Sequence, residues 1–187
     1  MIDVGFSIFR RITGADYLSL SAALLGFASI LLIILDHELL AVVALVLAAI
    51  SDYVDGRMAR SLGGGHEWGK NIDSLCDVAA FGVAPAFLSW FIIFNGLLDF
   101  NQTIALVAGF VFPALLIAGG ILRLARYNIS TMHRLYVGMP ITMNGIIFPI
   151  AWAATLWLSA ELRAAVLILT CLVSFILMVN DFIIRKR

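Results

Sequence analysis

Long stretches without a charged residue dominate the chain. Tyr17–Leu35, Val78–Leu98, Phe100–Leu122, Leu135–Ala160 and Ala164–Asn180 contain no Asp, Glu, Lys, Arg or His. Each is close to the roughly 17–25 residues that a helix needs to cross a bilayer core. Leu39–Ser51 is shorter, but the apolar pattern continues past Asp52, and Leu39–Arg60 read as one helix is also long enough. The pattern therefore predicts an all-α integral membrane protein with six transmembrane helices and short connections.

The basic residues orient these spans. Arg10 and Arg11 precede the first span, and Arg57, Arg60 and Lys70 lie between the second and third. Arg123, Arg126 and Arg134 lie between the fourth and fifth, and Arg185, Lys186 and Arg187 follow the sixth. Arg163 alone falls on the other side. By the positive-inside rule both termini face the cytoplasm, in a cell-membrane protein of multi-pass topology. An odd number of spans would spoil the alternation. Residues 1–15, with Val4, Phe6, Ile8, Phe9 and Ile12 beside the two arginines, form a candidate amphipathic interfacial segment rather than a cleaved secretory signal.

Composition agrees. The 187 residues are 63% hydrophobic and 13% charged, with mean hydropathy +1.05. Soluble domains sit near half apolar and a quarter charged, so an ordinary soluble globule or a disordered chain is excluded. Cys76 and Cys171 lie in apolar runs and read as packed thiols, not a disulfide framework. The basic residues follow topology rather than forming a patch with interleaved aromatics, so no nucleic-acid partner is expected. The length suits one domain, 1–187.

Four carboxylates stand where a membrane penalises them: Asp52, Asp55, Asp73 and Asp77. Asp52 and Asp55 are three apart, on one helix face with Gly56 and Ala59. Gly69, Asp73 and Asp77 follow at steps of four, again on one face. A short loop joins the two helices, so the segment 39–98 is a hairpin in which all four acids converge just inside the cytoplasmic surface. All-oxygen ligation suits Mg²⁺ or Mn²⁺. Two such ions would neutralise the cluster and clamp a phosphoryl group for in-line displacement. Two other readings compete. The acids could pair with Arg57, Arg60 and Lys70, or serve a cation- or proton-coupled transporter. The absence of an internal repeat weighs against a transporter.

The pattern Asp52-x-x-Asp55-Gly56-x-x-Ala59-Arg60, eight residues, Gly69, three residues, Asp73, three residues, Asp77 resembles the signature of the CDP-alcohol phosphotransferases. The match is complete over residues 52–77, and the six-helix topology extends it across the chain. Within that family, Asp73-Ser-Leu-Cys-Asp77-Val-Ala-Ala-Phe-Gly82-Val-Ala-Pro85-Ala resembles the phosphatidylserine synthases. So does Arg123-Leu-Ala-Arg126-Tyr127-Asn128 followed by Gly138-Met-Pro140. Some members open the first span with Pro-Asn-x-x-Thr, where this chain has Ala15-Asp16-Tyr17-Leu18-Ser19.

The resemblance implies phospholipid biosynthesis. A phosphatidyl or archaetidyl group passes from CDP-diacylglycerol, or an archaeal CDP-lipid, to the hydroxyl of L-serine, and CMP leaves. It implies that Asp52, Asp55 and Asp73 bind one metal ion and that Asp52, Asp73 and Asp77 bind a second, with Asp77 as general base. It implies CDP-lipid contacts at Asp52, Gly56, Ala59, Arg60, His66 and Gly69, and a homodimer in the lipid bilayer. Arg123 and Arg126 are three apart and would suit bidentate pairing with the serine carboxylate. Asn128, Thr142 and Asn144 are candidates for further polar contacts. Inositol phosphate and glycerol phosphate remain alternative acceptors, since Arg123, Arg126 and Arg134 could equally hold a dianion.

Overall fold

The computed structural model describes residues 14–61, 67–129, 135–180 and 183–185. The proposed interfacial segment falls almost wholly on residues outside this set. Helix α1 (Gly14–Ile34) and helix α2 (Glu38–Ser61) form an antiparallel pair. Their turn is built on Asp36, in the left-handed region at φ 59°. There the Asp36 N–H donates to Ile33 O at 3.0 Å and the His37 N–H to Leu32 O at 2.8 Å. This crossed pair satisfies the last carbonyls of α1 and reverses the chain in three residues.

Helix α3 (Glu67–Asp77) passes through a π-helical stretch, Val78–Val83, into α4 (Ala84–Leu98). Together they provide one long apolar span, Gly69–Leu98. Then come α5 (Gln102–Ile129), the short strand β1 (Leu135–Val137), a 3₁₀ turn (Ile141–Met143), α6 (Asn144–Ala154), α7 (Ala160–Val179) and β2 (Ile183–Arg185). β1 pairs antiparallel with β2, Tyr136 opposite Ile184. Among the described residues five helices are long and apolar enough to cross a membrane, and Ile141–Ala154 is a shorter sixth. The protein is an all-α, multi-pass membrane protein.

The fifth span differs from its expected Leu135–Ala160 extent. Gly138 takes φ +73°, and Pro140 sits extended at φ −59°, ψ 138° just before the helical turn. A positive-φ glycine followed by a proline interrupts a helix, so residues 135–137 pair with β2 instead. At the other end the Thr155 hydroxyl donates to Trp152 O at 2.9 Å, and the chain turns before α7. The shortened helix packs against α2 and α7, so its ends lie against protein.

The core is the shared face of α4 with α5 and α7, with α1 and α2 alongside. Leu45, Phe81, Leu88, Ile93, Leu116, Phe148 and Leu167 are fully buried there. Large apolar side chains such as Leu24, Phe110 and Ile150 point outwards, as lipid contact requires.

At the end of α2 remote from the aspartates, Glu38 ties three elements together. Its Oε2 accepts from Trp152 Nε1 at 2.7 Å and from Arg163 at 2.8 Å. The lone cation of its side thus has a partner. Glu38→Ala is expected to cost about 1–3 kcal/mol, because both donors lose their acceptor. A lowered melting midpoint in detergent would register it, and an unchanged midpoint would show that the contact contributes nothing.

Candidate active site

The end of α2 and the start of α3 lie on the same side of the bundle, and α5 returns its C-terminal turns to that side. These three elements enclose a cavity of about 440 Å³. Asp52, Asp55 and Gly56 from α2 face it, with Asp73 and Asp77 from α3. Carboxylate oxygens of Asp52, Asp55 and Asp73 lie within 4.8 Å of one another. Asp77 lines the same cavity as these three. Asp55 and Asp77 are buried, at 4% and 8% exposure. Four carboxylates at such separations repel strongly unless a cation joins them. Their donor set, all oxygen, fits hard divalent ions.

Two cations, Lys70 and the buried Arg123, line the same cavity. Both approach the Tyr127 ring, with Lys70 Nζ 5.1 Å and Arg123 Cζ 5.5 Å from its centroid. Carboxylates suited to a metal and cations suited to an anionic group thus share one space. Ser74, Pro140 and Thr142 complete the rim. A Cβ added to Gly56 would meet nothing within 4 Å, so this position leaves open space beside the carboxylates.

The expected residues divide into three groups. Asp52, Asp55, Gly56, Asp73, Asp77 and Arg123 all line the cavity. Arg126 donates to the carbonyls of Met178 and Val179, at 3.1 and 3.2 Å, near the C-terminus of α7. Asn128 donates to Ser74 Oγ at 3.1 Å, fastening α5 to α3. His66 and the side chains of Ala59 and Arg60 lie outside the described residues. Arg57 turns to Tyr53, whose hydroxyl accepts at 3.1 Å.

Helix α1 also contributes, which the motifs of the sequence do not foretell. The Ser19 hydroxyl donates to Asp55 Oδ2 at 2.5 Å. Asp16 is buried, and its Oδ1 would stand 2.9 Å from a Cβ placed on Gly69. Gly69 therefore leaves room for the Asp16 carboxylate between α1 and α3. One turn further in, Ser21 and Ser51 hydroxyls meet at 2.6 Å, and Ser51 donates to Leu18 O at 3.1 Å. The available signal was a stripe: Asp16, Ser19, Ala22, Gly26 and Ser29 recur at helical spacing, and all are buried. Ser19→Ala removes the hydrogen bond that orients Asp55. It is expected to weaken Mn²⁺ binding about 10-fold or more, read from the metal concentration that half-stabilises the protein against heat.

Comparison with known proteins adds an independent finding. The family model described as CDP-alcohol phosphatidyltransferase matches residues 12–181. An archaetidylserine synthase of Methanothermobacter thermautotrophicus is 39% identical over 134 residues, covering 70% of this chain and 54% of that protein. A CDP-diacylglycerol–serine O-phosphatidyltransferase of Methanocaldococcus jannaschii is 32% identical over 142 residues, covering 76% and 61%. The enzyme of the same description from Helicobacter pylori strain J99 is 33% identical over 130 residues, covering 68% and 52%. The chain spans between about half and three fifths of the length of these relatives.

Proposed function

We propose, since the chain belongs to the CDP-alcohol phosphatidyltransferase family, that it transfers the phosphatidyl or archaetidyl group of a CDP-activated lipid to the hydroxyl of L-serine. The observation that carries this reading is one cavity lined by both signs of charge. Three carboxylates within 4.8 Å of one another share a space of about 440 Å³ with Arg123 and Lys70. That volume is within the usual range for small-molecule sites. The relatives named as serine and archaetidylserine synthases supply the acceptor.

In this reading the serine hydroxyl oxygen forms a bond to the lipid-side phosphorus. The bond from that phosphorus to the oxygen shared with CMP breaks, and CMP leaves. Asp52, Asp55, Asp73 and Asp77 would hold two divalent ions, Mg²⁺ or Mn²⁺, whose charge would neutralise the pyrophosphate and stabilise the attacking and leaving oxygens. Asp77 takes the hydroxyl proton. The family resemblance assigns the CDP contacts to Asp52, Gly56, Ala59, Arg60, His66 and Gly69. Arg123, helped by Lys70, holds the serine carboxylate. Arg126 and Asn128 secure that end of α5 through their bonds to α7 and Ser74. The site faces the cytoplasm of a cell-membrane protein, and the working unit is a homodimer formed from the single domain 1–187.

The second cation, Lys70, favours one alternative enough to test it. A phosphorylated acceptor such as inositol phosphate or glycerol phosphate would use both cations. CMP release from CDP-diacylglycerol in detergent, with Mn²⁺, is therefore measured with serine, inositol phosphate and glycerol phosphate in turn. Serine-dependent release supports the reading. Release only with a phosphorylated acceptor replaces the acceptor. No release with any acceptor, from folded and metal-loaded protein, contradicts the enzyme assignment and revives the transporter.

A further inference from the structure

The stretch from Asp73 to Ala86 contains more than its two aspartates, and beyond Asp77 the backbone departs from ordinary α-helix. From Val78 to Val83 it is π-helical, and the Ala84 N–H donates to Ala79 O, five residues back. The cause is in the sequence. The carbonyl of Phe81 would take its α-helical hydrogen bond from residue 85, which is proline. Pro85 has no N–H, and its ring presses on the carbonyl four residues earlier. One extra residue in the turn relieves that clash, as π stretches do at functional sites. It also turns the aspartate face by about 100° relative to the helix beyond. Asp77 is the last residue before the stretch, so its direction is set there.

The Phe81 carbonyl has a partner from another helix. Asn144, the first residue of α6 and fully buried, donates from Nδ2 to Phe81 O at 3.1 Å. Its own Oδ1 has no hydrogen-bond partner among the described residues. Burying an amide with one end unmatched is costly at membrane depth, so this donor has a task there. The packing holds the same turn from two sides. A Cβ on Gly145 would come within 2.7 Å of the Phe81 ring, and one on Gly26 within 2.7 Å of Ala80 Cα. Helices α6 and α1 thus close on the wide turn, and Asn144 supplies the hydrogen bond that Pro85 withholds.

We infer that Asn144 is a positioning residue for Asp77. By donating to Phe81 O it fixes the π turn, and the π turn aims the Asp77 carboxyl at Asp52 and the cavity. The inference rests on the role proposed for Asp77 above. It also gives Pro85 a function that the signature does not contain.

The test compares Asn144→Leu, Pro85→Ala and Asp77→Asn in serine-dependent CMP release, per unit of folded protein. Asn144→Leu is expected to lower kcat about 10–100-fold, with the KM for CDP-lipid near wild type. The Mn²⁺ concentration that half-stabilises the protein against heat should rise alongside. In Pro85→Ala residue 85 regains an N–H for Phe81 O, so the α-helical bond can replace the π turn, and kcat should fall in the same way. If Asn144→Leu does not accumulate as folded protein, Pro85→Ala still decides: a lowered kcat in folded protein supports the inference, and wild-type kcat overturns it. Wild-type kcat in Asn144→Leu beside an inactive Asp77→Asn overturns this inference alone. An active Asp77→Asn overturns the underlying reading of the site.

Discussion

Asp77→Asn is expected to lower CMP release by about 10²–10⁴-fold, the range contributed by a positioned general base. The substitution keeps the size of a side chain that is buried at 8% exposure, so the helix pair should stay in place. The amide cannot accept the serine proton, so the loss should fall on kcat. Asp73→Asn should behave differently. Asp73 belongs to the group of three carboxylates within 4.8 Å, so its loss should show first in metal binding. A Mn²⁺ titration of thermal stability separates the two. A large rightward shift in Asp73→Asn and a smaller one in Asp77→Asn is the expected result. Equal shifts would make Asp77 a ligand before it is a base.

Arg123→Lys is expected to raise the KM for serine about 10–100-fold, with the KM for CDP-lipid close to wild type. A hydrogen bond to a charged group contributes about 1.5–3 kcal/mol, and each 1.4 kcal/mol is about tenfold in affinity. Lysine keeps the charge but not the planar fork that pairs with a carboxylate. Arg123 is buried beside the Tyr127 ring, so solvent cannot readily replace it. Arg126→Lys provides the contrast. Its guanidinium bonds to the carbonyls of Met178 and Val179, so its change should appear in stability rather than in serine KM. A serine KM raised equally by both substitutions would place both arginines on the acceptor.

The hairpin of aspartates was legible because charge in an apolar run is rare and helical spacing is rigid. Steps of three and four residues put Asp52 with Asp55, and Asp73 with Asp77, before any coordinates. The part played by α1 was not legible in the same way. Asp16 lies at the start of its helix, where an acid is commonplace, and Ser19 looks like helix filler. Only the packing of α1 against α2 and α3 brings them to Asp55 and Gly69. The two arginines of α5 show a limit of the shared-face argument. Positions three apart differ by about 60° around a helix, enough for Arg123 to enter the cavity while Arg126 reaches α7. The fifth helix is shorter than its uncharged run because absence of charge does not prevent a turn. Gly138 and Pro140 end the helix inside an unbroken apolar run. The π stretch could have been anticipated from Pro85, whose missing N–H falls opposite Phe81.

The most direct test of serine transfer follows the oxygen atom. Serine carrying ¹⁸O in its hydroxyl is supplied with CDP-lipid, Mn²⁺ and the protein in detergent, and both products are analysed by mass spectrometry. Attack by the serine hydroxyl predicts ¹⁸O in the serine–phosphate ester of the lipid product, unlabelled CMP, and equal amounts of the two. Label in CMP, or CMP released without a labelled lipid, would contradict it.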